Sequence, residues 1–327
     1  MQKVLVTGAS GFIGSTLVDK LLQEGYEVFA AIRKTSNKGY LRDKRIKFIT
    51  LNYENEKLLR QTLEKENFYA VFHLAALTKA EKKEDFYKVN FEYTKNLVDA
   101  LNGIDTKLIF FSSFASHGPS EEVNFSAAKV EDKNNPNTEY GKSKLKAEEY
   151  INENFKGRYI ILRPTGVYGP KETDYYVYFK TISNHLEPYL GFIPQRLTFV
   201  YVDDLVSVAI LAMNSSISGK TYFVSDGNLY LDTEFAQITK QVMGTWTLKI
   251  KFPLFIVAFI SSIMECIGRI TGQLFTLNKD KYNILKARNW NCDIDKLKKD
   301  LHYTPKIFLE EGVEKTIKWY KDEGWLR

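Results

Sequence analysis

The chain has 327 residues, 44% hydrophobic and 26% charged, which excludes a disordered or collagen-like polymer and allows one large or two modest domains. Lys and Arg number 46 against 40 Asp and Glu, and the resulting +6 is too thinly spread to mark a nucleic-acid partner. Two cysteines, Cys266 and Cys292, cannot staple a chain this long, and with the four histidines they show no metal-ligand spacing, so the reading is a protein of a reducing, cytosolic setting with no metal.

In chain order, β-branched apolar runs alternate with helix-length polar-patterned stretches. Val4-Leu5-Val6 opens directly as a strand and not as a signal peptide. Strands are predicted at Lys3–Thr7, Glu27–Ile32, Ile46–Leu51, Ala70–Leu74, Lys107–Ser112 and Arg158–Leu162. Helices are predicted between them at Ile13–Glu24, Glu56–Glu66, Asp85–Leu101 and Tyr140–Asn154. Parallel neighbours need crossover helices, so the alternation predicts an α/β fold with a Rossmann-type doubly wound parallel sheet. Gly118–Thr138 reads as a long exposed connection of functional type. After Leu162 the chain is broken by Pro164, Gly166, Gly169 and Pro170. A strand then returns at Leu197–Val202, a helix at Asp204–Met213 and a strand at Thr221–Val224, before a region of helices and loops. The predicted division is a cofactor domain from 1–164 with 197–224, and a smaller, mostly helical substrate domain from 165–196 with 225–327.

The first strand runs into Thr7-Gly-Ala-Ser-Gly-Phe-Ile-Gly14 and then a helix. Gly8 permits the tight turn, Gly11 lets backbone N–H groups approach a pyrophosphate, and Gly14 allows close helix packing. Thr7, Gly8, Ser10, Gly11, Phe12, Ile13 and Gly14 are therefore candidate cofactor contacts. An NAD-type site carries an acid about 20 residues further on to hold the ribose 2′-hydroxyl. Here the second strand ends Ala30-Ala31-Ile32-Arg33-Lys34, two cations and no acid. Arg33, with Lys34, suits a 2′-phosphate, which favours NADP(H) over NAD(H).

Tyr140 and Lys144 lie one helical turn apart and share a face. A cation there, with the charge of an oxidised nicotinamide, is expected to bring the phenol into working range as an acid and base. The strand Leu108–Phe111 runs into Ser112-Ser113, hydroxyls at the strand end where α/β sheets hold ligands.

With these motifs assembled, the chain resembles the extended short-chain dehydrogenase/reductase family, the NAD-dependent epimerase/dehydratase group. The likeness rests on Thr7–Gly14, His73-Leu-Ala-Ala76, Val89-Asn90, Ser112-Ser113, Tyr140–Lys144 with Ser143 and Glu148, Leu162-Arg163-Pro164 with Gly166–Pro170, and Val200–Asp204. The resemblance implies that Ser113 orients the substrate oxygen, Tyr140 is the catalytic acid and base, and Lys144 binds the nicotinamide ribose and tunes Tyr140. It also implies that Leu74, Ala75, Ala76, Asn90 and Pro164 line or support the cofactor, with His73 a structural strand-end residue. The family's 4,6-dehydratases carry Thr-Asp-Glu where this chain has Ser113-Phe114-Ala115, which cannot transfer those protons, and His117 replaces a common tyrosine. Thr-Gly-Ala-Ser-Gly with Ala-Ile-Arg-Lys looks like the dihydroflavonol reductase and 3β-hydroxysteroid dehydrogenase side of the family. The segment from Trp290 to Tyr320 is similar to its closing helices, whose role is packing on the core.

Phe252 to Met264 is apolar, preceded by Lys249 and Lys251 and followed by Arg269. It is shorter than a spanning helix. One reading is a buried helix of the second domain. The other is a lid for an apolar substrate, or an interfacial helix that places the protein at the inner face of an anionic membrane. The leading expectation is an NADP(H)-dependent oxidoreductase for a ketone or secondary alcohol of a lipid- or sterol-like small molecule. The alternatives are a nucleotide-sugar epimerase with tightly held NAD(P) and a non-catalytic NADP-binding sensor. A homodimer stays open.

Overall fold

The computed structural model describes residues 1–271 and 279–326. The side chains of Cys266 and Arg269 lie outside what is described. Thirteen strands are present among the described residues. They are β1 (Lys3–Thr7), β2 (Glu27–Ala31), β3 (Lys47–Ile49), β4 (Ala70–His73), β5 (Lys107–Phe111), β6 (Arg158–Pro164), β7 (Gly166–Tyr168), β8 (Leu186–Leu190), β9 (Arg196–Leu197), β10 (Phe199–Tyr201), β11 (Lys220–Val224), β12 (Tyr230–Leu231) and β13 (Leu248–Phe252). Seven of them form one parallel sheet in the order β3-β2-β1-β4-β5-β6-β11. The Rossmann-type doubly wound sheet expected from the alternation is thus observed.

The crossovers are α1 (Phe12–Gln23), α2 (Glu56–Glu66), α3 (Lys83–Phe86) continuing through a π-helical stretch at Tyr87–Glu92 into α4 (Tyr93–Leu101), and α5 (Glu139–Asn154). Further on lie α6 (Asp174–Ser183), α7 (Val202–Asn214), α8 (Asp232–Met243), α9 (Leu254–Thr271), α10 (Lys279–Lys286), α11 (Asp295–Leu301) and α12 (Leu309–Asp322). Helices cover both faces of the sheet, so its strands are apolar throughout. Val4 and Val6 join the core that includes Leu17, Leu21 and Val206, while Leu5 joins the opposite core with Leu97, Leu108 and Ile151. Among the buried polar side chains of this sheet, one lies away from the strands' carboxyl ends. Lys107 in β5 is buried, and its Nζ donates at 2.7 Å to the carbonyls of Ala212 and Ser215, the open C-terminal end of α7.

The structure departs from the predicted elements in four places. The strand expected at Leu197–Val202 is two short ones, because its halves pair with different partners: β9 with β12 and β10 with β7. Val202 already begins α7. The region after Ser225, expected as helices and loops, holds β12 and β13, the latter paired with β8. Gly118–Thr138 has no regular strand or helix but is not simply exposed. Ser120 N and Ala128 N donate to the carbonyls of Asn289 and Asn291, which pins it to the later chain. The apolar segment splits at Pro253 into the end of β13 and the start of α9, and the buried-helix reading fails on its outer side. Phe255 is 73% and Phe259 67% exposed, whereas Val257 and Ser261 face the protein. No helix among the described residues is long and apolar enough to cross a membrane.

Candidate active site

Strand order reverses between β1 and β4, and ligands of open α/β sheets bind in the crevice beyond the carboxyl ends at such a point. The sequence candidates gather there. The glycine loop follows β1, Arg33 and Lys34 follow β2, Leu74–Ala76 follow β4, Ser113 follows β5 and Pro164 ends β6. Gly8 has φ +65°, and a Cβ on it would meet the Leu74 and Ala75 backbone at 2.8–2.9 Å, while a Cβ on Gly14 would collide with the Gly8 carbonyl. Gly11 caps α1 with no side-chain cap and no acid in the first turn. A Cβ there would touch only the Gly8 oxygen, at 3.3 Å, so the start of α1, whose first N–H groups have no intrahelical acceptor, leaves room for a pyrophosphate. Arg33 and Lys34 are exposed, and residues 32–42 contain no acid.

A buried chain of hydrogen bonds ties this loop to the catalytic helix. Thr7 Oγ1 accepts from Leu74 N and Ala75 N at 3.1 Å, which leaves its proton for His73 Nδ1 at 2.8 Å. His73 Nε2 then donates to Thr94 Oγ1 at 3.0 Å, and Thr94 donates to Asn90 O at 2.8 Å. Burial, with the Lys144 charge nearby, pushes the His73 pKa down to about 3, so this relay is neutral. Asn90 sits in the π-helical stretch, a feature common at functional sites. Its amide holds Leu77 N at 2.7 Å and Ser143 Oγ at 3.0 Å, and Ser143 donates to the Tyr140 carbonyl. Asn90 therefore supports the site through Tyr140's own turn. Of this chain, Thr94 carried no sequence signal.

Ser113 caps a 3₁₀ turn at Phe114–Ser116, accepting from Ala115 N at 3.1 Å. Gly141 packs so closely on Ala115 that any Cβ would strike its carbonyl oxygen. That approach brings α5 against the turn and lets Ser113 hydrogen-bond the Tyr140 phenol. Beneath them Glu148, two turns along α5, accepts from Arg163 Nη2 at 2.6 Å and Nε at 3.0 Å, and from the Ser112 and Ser116 hydroxyls. Both ions are buried, and because each is multiply bonded the pair locks the strand end that carries Ser113.

Burial pushes Tyr140 up to about 12, with the Ser113 hydrogen bond the opposing influence, so the phenol is protonated at neutral pH. Lys144 is itself pushed down to about 7 by burial, against the pull of Glu148. Its Nζ lies 4.1 Å over the Phe110 ring and makes no hydrogen bond among the described residues. A buried ammonium without an acceptor, beside an open glycine cradle, fits a bound ribose and diphosphate. Asp280 of α10 also reaches the site, since its carboxylate accepts from Glu139 N at 2.9 Å and Tyr140 N at 3.4 Å. With Asp280 lying 140 positions after Tyr140, sequence spacing had no means of finding that contact.

Residues 4–225 match the NAD dependent epimerase/dehydratase family. The chain belongs to that family. Among its relatives is the ceramide reductase of Caulobacter vibrioides, 23% identical over 99% of this chain and 96% of the relative. The putative UDP-glucose 4-epimerase of Methanocaldococcus jannaschii is 30% identical over 98% and 99%. In fold the chain is similar to the UDP-glucuronic acid 4-epimerase of Bacillus cereus, crystallised with NAD: TM-score 0.78, 23% identity, covering 98% of this chain and 99% of that one. Members of this family are enzymes that work with a nicotinamide cofactor, and the residues around the switch point fit one.

Proposed function

We propose that the protein is an NADP(H)-dependent oxidoreductase that interconverts a ketone and a secondary alcohol on an apolar, lipid- or sterol-like small molecule. The observation that carries this reading is the proximity of two things. A protonated Tyr140 bonded to Ser113 stands at the switch point, and α10, which packs on the apolar-faced α9, reaches the Tyr140 backbone through Asp280. In this reading residues 1–164 with 197–224 hold the cofactor, and 165–196 with 225–327 shape the substrate site.

The bound nicotinamide supplies or takes up the hydride. Ser113 holds the substrate oxygen, and Tyr140 gives that oxygen a proton as the carbonyl carbon is reduced, or takes one in the reverse direction. Lys144 holds the ribose and offsets the phenolate charge left after transfer. Gly11, Phe12 and Ile13 hold the diphosphate, and Arg33, in a stretch free of acids, meets the 2′-phosphate. The Caulobacter relative supports a lipid substrate by its name, as a reductase of ceramide.

The second reading, a nucleotide-sugar epimerase, is favoured by the Methanocaldococcus relative. The two differ in net hydride. Incubation with NADPH and a panel of long-chain and polycyclic ketones should consume NADPH in step with alcohol formed. Interconversion of a UDP-hexose with its 4-epimer, with no net NADPH consumed and no ketone reduced, would replace the first reading by the second.

A further inference from the structure

We propose that α9, the Phe192-Ile193 turn and the lysines of β13 form a docking surface for a bilayer containing anionic lipid. The purpose of such a surface rests on the apolar-substrate reading, but its evidence is separate. An amphipathic helix on a soluble protein turns its apolar stripe inward. On α9 the arrangement is reversed. Val257 and Ser261, one turn apart, are buried, while Phe255, Ile256, Phe259, Ile260, Ile263 and Ile267 are exposed. No charged residue occurs from Phe252 to Ile263. The stripe is contiguous with a second apolar element. Gly191 N donates to Phe252 O at 2.8 Å, and Arg288 Nη1 donates to Ile193 O at 2.9 Å. These bonds fix the exposed Phe192 and Ile193 beside the start of α9.

Cations sit at the margin of this face. A cavity of about 150 Å³ is lined by residues 189–194, Asp232, Thr233, Lys249 and Lys251. Nearby, buried Glu187 is paired with Lys240 at 2.7 Å, and Asp232 in the cavity wall has its pKa raised by burial, so it adds little negative charge to this face. Lys249 reaches Glu187 only at 4.0 Å and is largely exposed, as is Lys251. Exposed aromatic and aliphatic side chains edged by lysines match the boundary between acyl chains and anionic headgroups. A helix of 18 residues that does not cross a membrane would lie in that plane. The exposed cations at its margin are complementary to anionic headgroups, and the described part of the face, residues 252–263, offers a second copy no acid to meet them, so charge favours lipid over self-association.

Co-sedimentation of the full chain with vesicles of phosphatidylcholine, with and without phosphatidylglycerol, tests this without reading turnover. The wild type should pellet with the anionic vesicles, and salt should weaken the binding. Phe255→Ser with Phe259→Ser should lower partitioning by at least about tenfold with the melting temperature unchanged, and Lys249→Gln with Lys251→Gln should lower it on anionic vesicles only. Absence of wild-type binding to anionic vesicles overturns the proposal. So does sedimentation-velocity evidence of a dimer that the double serine variant dissolves, which would assign the face to a second copy. A protein that binds these vesicles yet reduces no apolar ketone keeps the docking surface and loses the substrate reading, while the reverse pair of results loses the surface alone.

Discussion

Around the switch point polar side chains are buried, and along α9 apolar side chains are exposed. Thr7, His73, Asn90, Lys144 and Glu148 are all nearly inaccessible, while Phe255 and Phe259 stand mostly in solvent. The first region tolerates its polarity because hydrogen bonds run in sequence from Thr7 to the Tyr140 carbonyl, while Glu148 and Arg163 pair beside it. The second has no such compensation among the described residues, and in our proposal a bilayer supplies it. A group that breaks the ordinary partition between core and surface thus points inward to chemistry in one place and outward to association in the other.

The sharpest way to break the comparison is to alter the reacting group itself. Tyr140→Phe should reduce turnover by about 10²–10⁴ while leaving NADPH binding intact. Stopped-flow or steady-state rates beside a cofactor titration decide it, and retained turnover would remove Tyr140 from the mechanism.

A second test uses the cost of burying bases neutral. His73 has its pKa held at about 3 in the fold against an ordinary 6.5, so between those values the unfolded chain binds a proton that the native chain does not. The His73 contribution is complete above pH 6.5 and should fall by about 1.4 kcal/mol per unit as the pH drops toward 3. Lys144, lowered to about 7 from 10.5, acts in the same direction in a higher window, adding stability as the pH rises from 7 to 10.5. Urea melts over a pH series give both slopes. His73→Gln should flatten the acid one, and an unchanged slope would place the acid loss elsewhere.

Smaller effects probe the links. Thr7→Val leaves Leu74 N and Ala75 N without their acceptor, at about 1–3 kcal/mol for each, and should lower the melting temperature. Arg33→Asp should weaken NADPH binding by about 1.5–3 kcal/mol and hardly change NADH binding. Equal losses for the two cofactors would sink the NADP assignment. At the small end, serine in place of Phe255 or Phe259 should change folding stability by no more than about 0.5 kcal/mol, since both side chains are exposed. A large loss would return α9 to the core.

The sequence alone was enough for what depends on local geometry. Strand-helix alternation is a period in the chain, so the parallel sheet was legible, and so were the glycine loop and the one-turn spacing of Tyr140 and Lys144. It was also enough to exclude the acid pair of a 4,6-dehydratase, because Phe114 and Ala115 have no exchangeable protons. Tertiary structure decided what depends on distant residues. The split of the Leu197–Val202 strand came from its two different partners, β7 and β12. The pKa of Tyr140 came from how deeply α5 is set against the Ser113 turn, a depth fixed by Gly141 meeting Ala115 and by Asp280 from 140 residues away. The outward turn of α9's apolar side was invisible in its composition. Periodicity tells which residues share a face, but only the packing of Val257 and Ser261 against the body of the protein decides which face looks out.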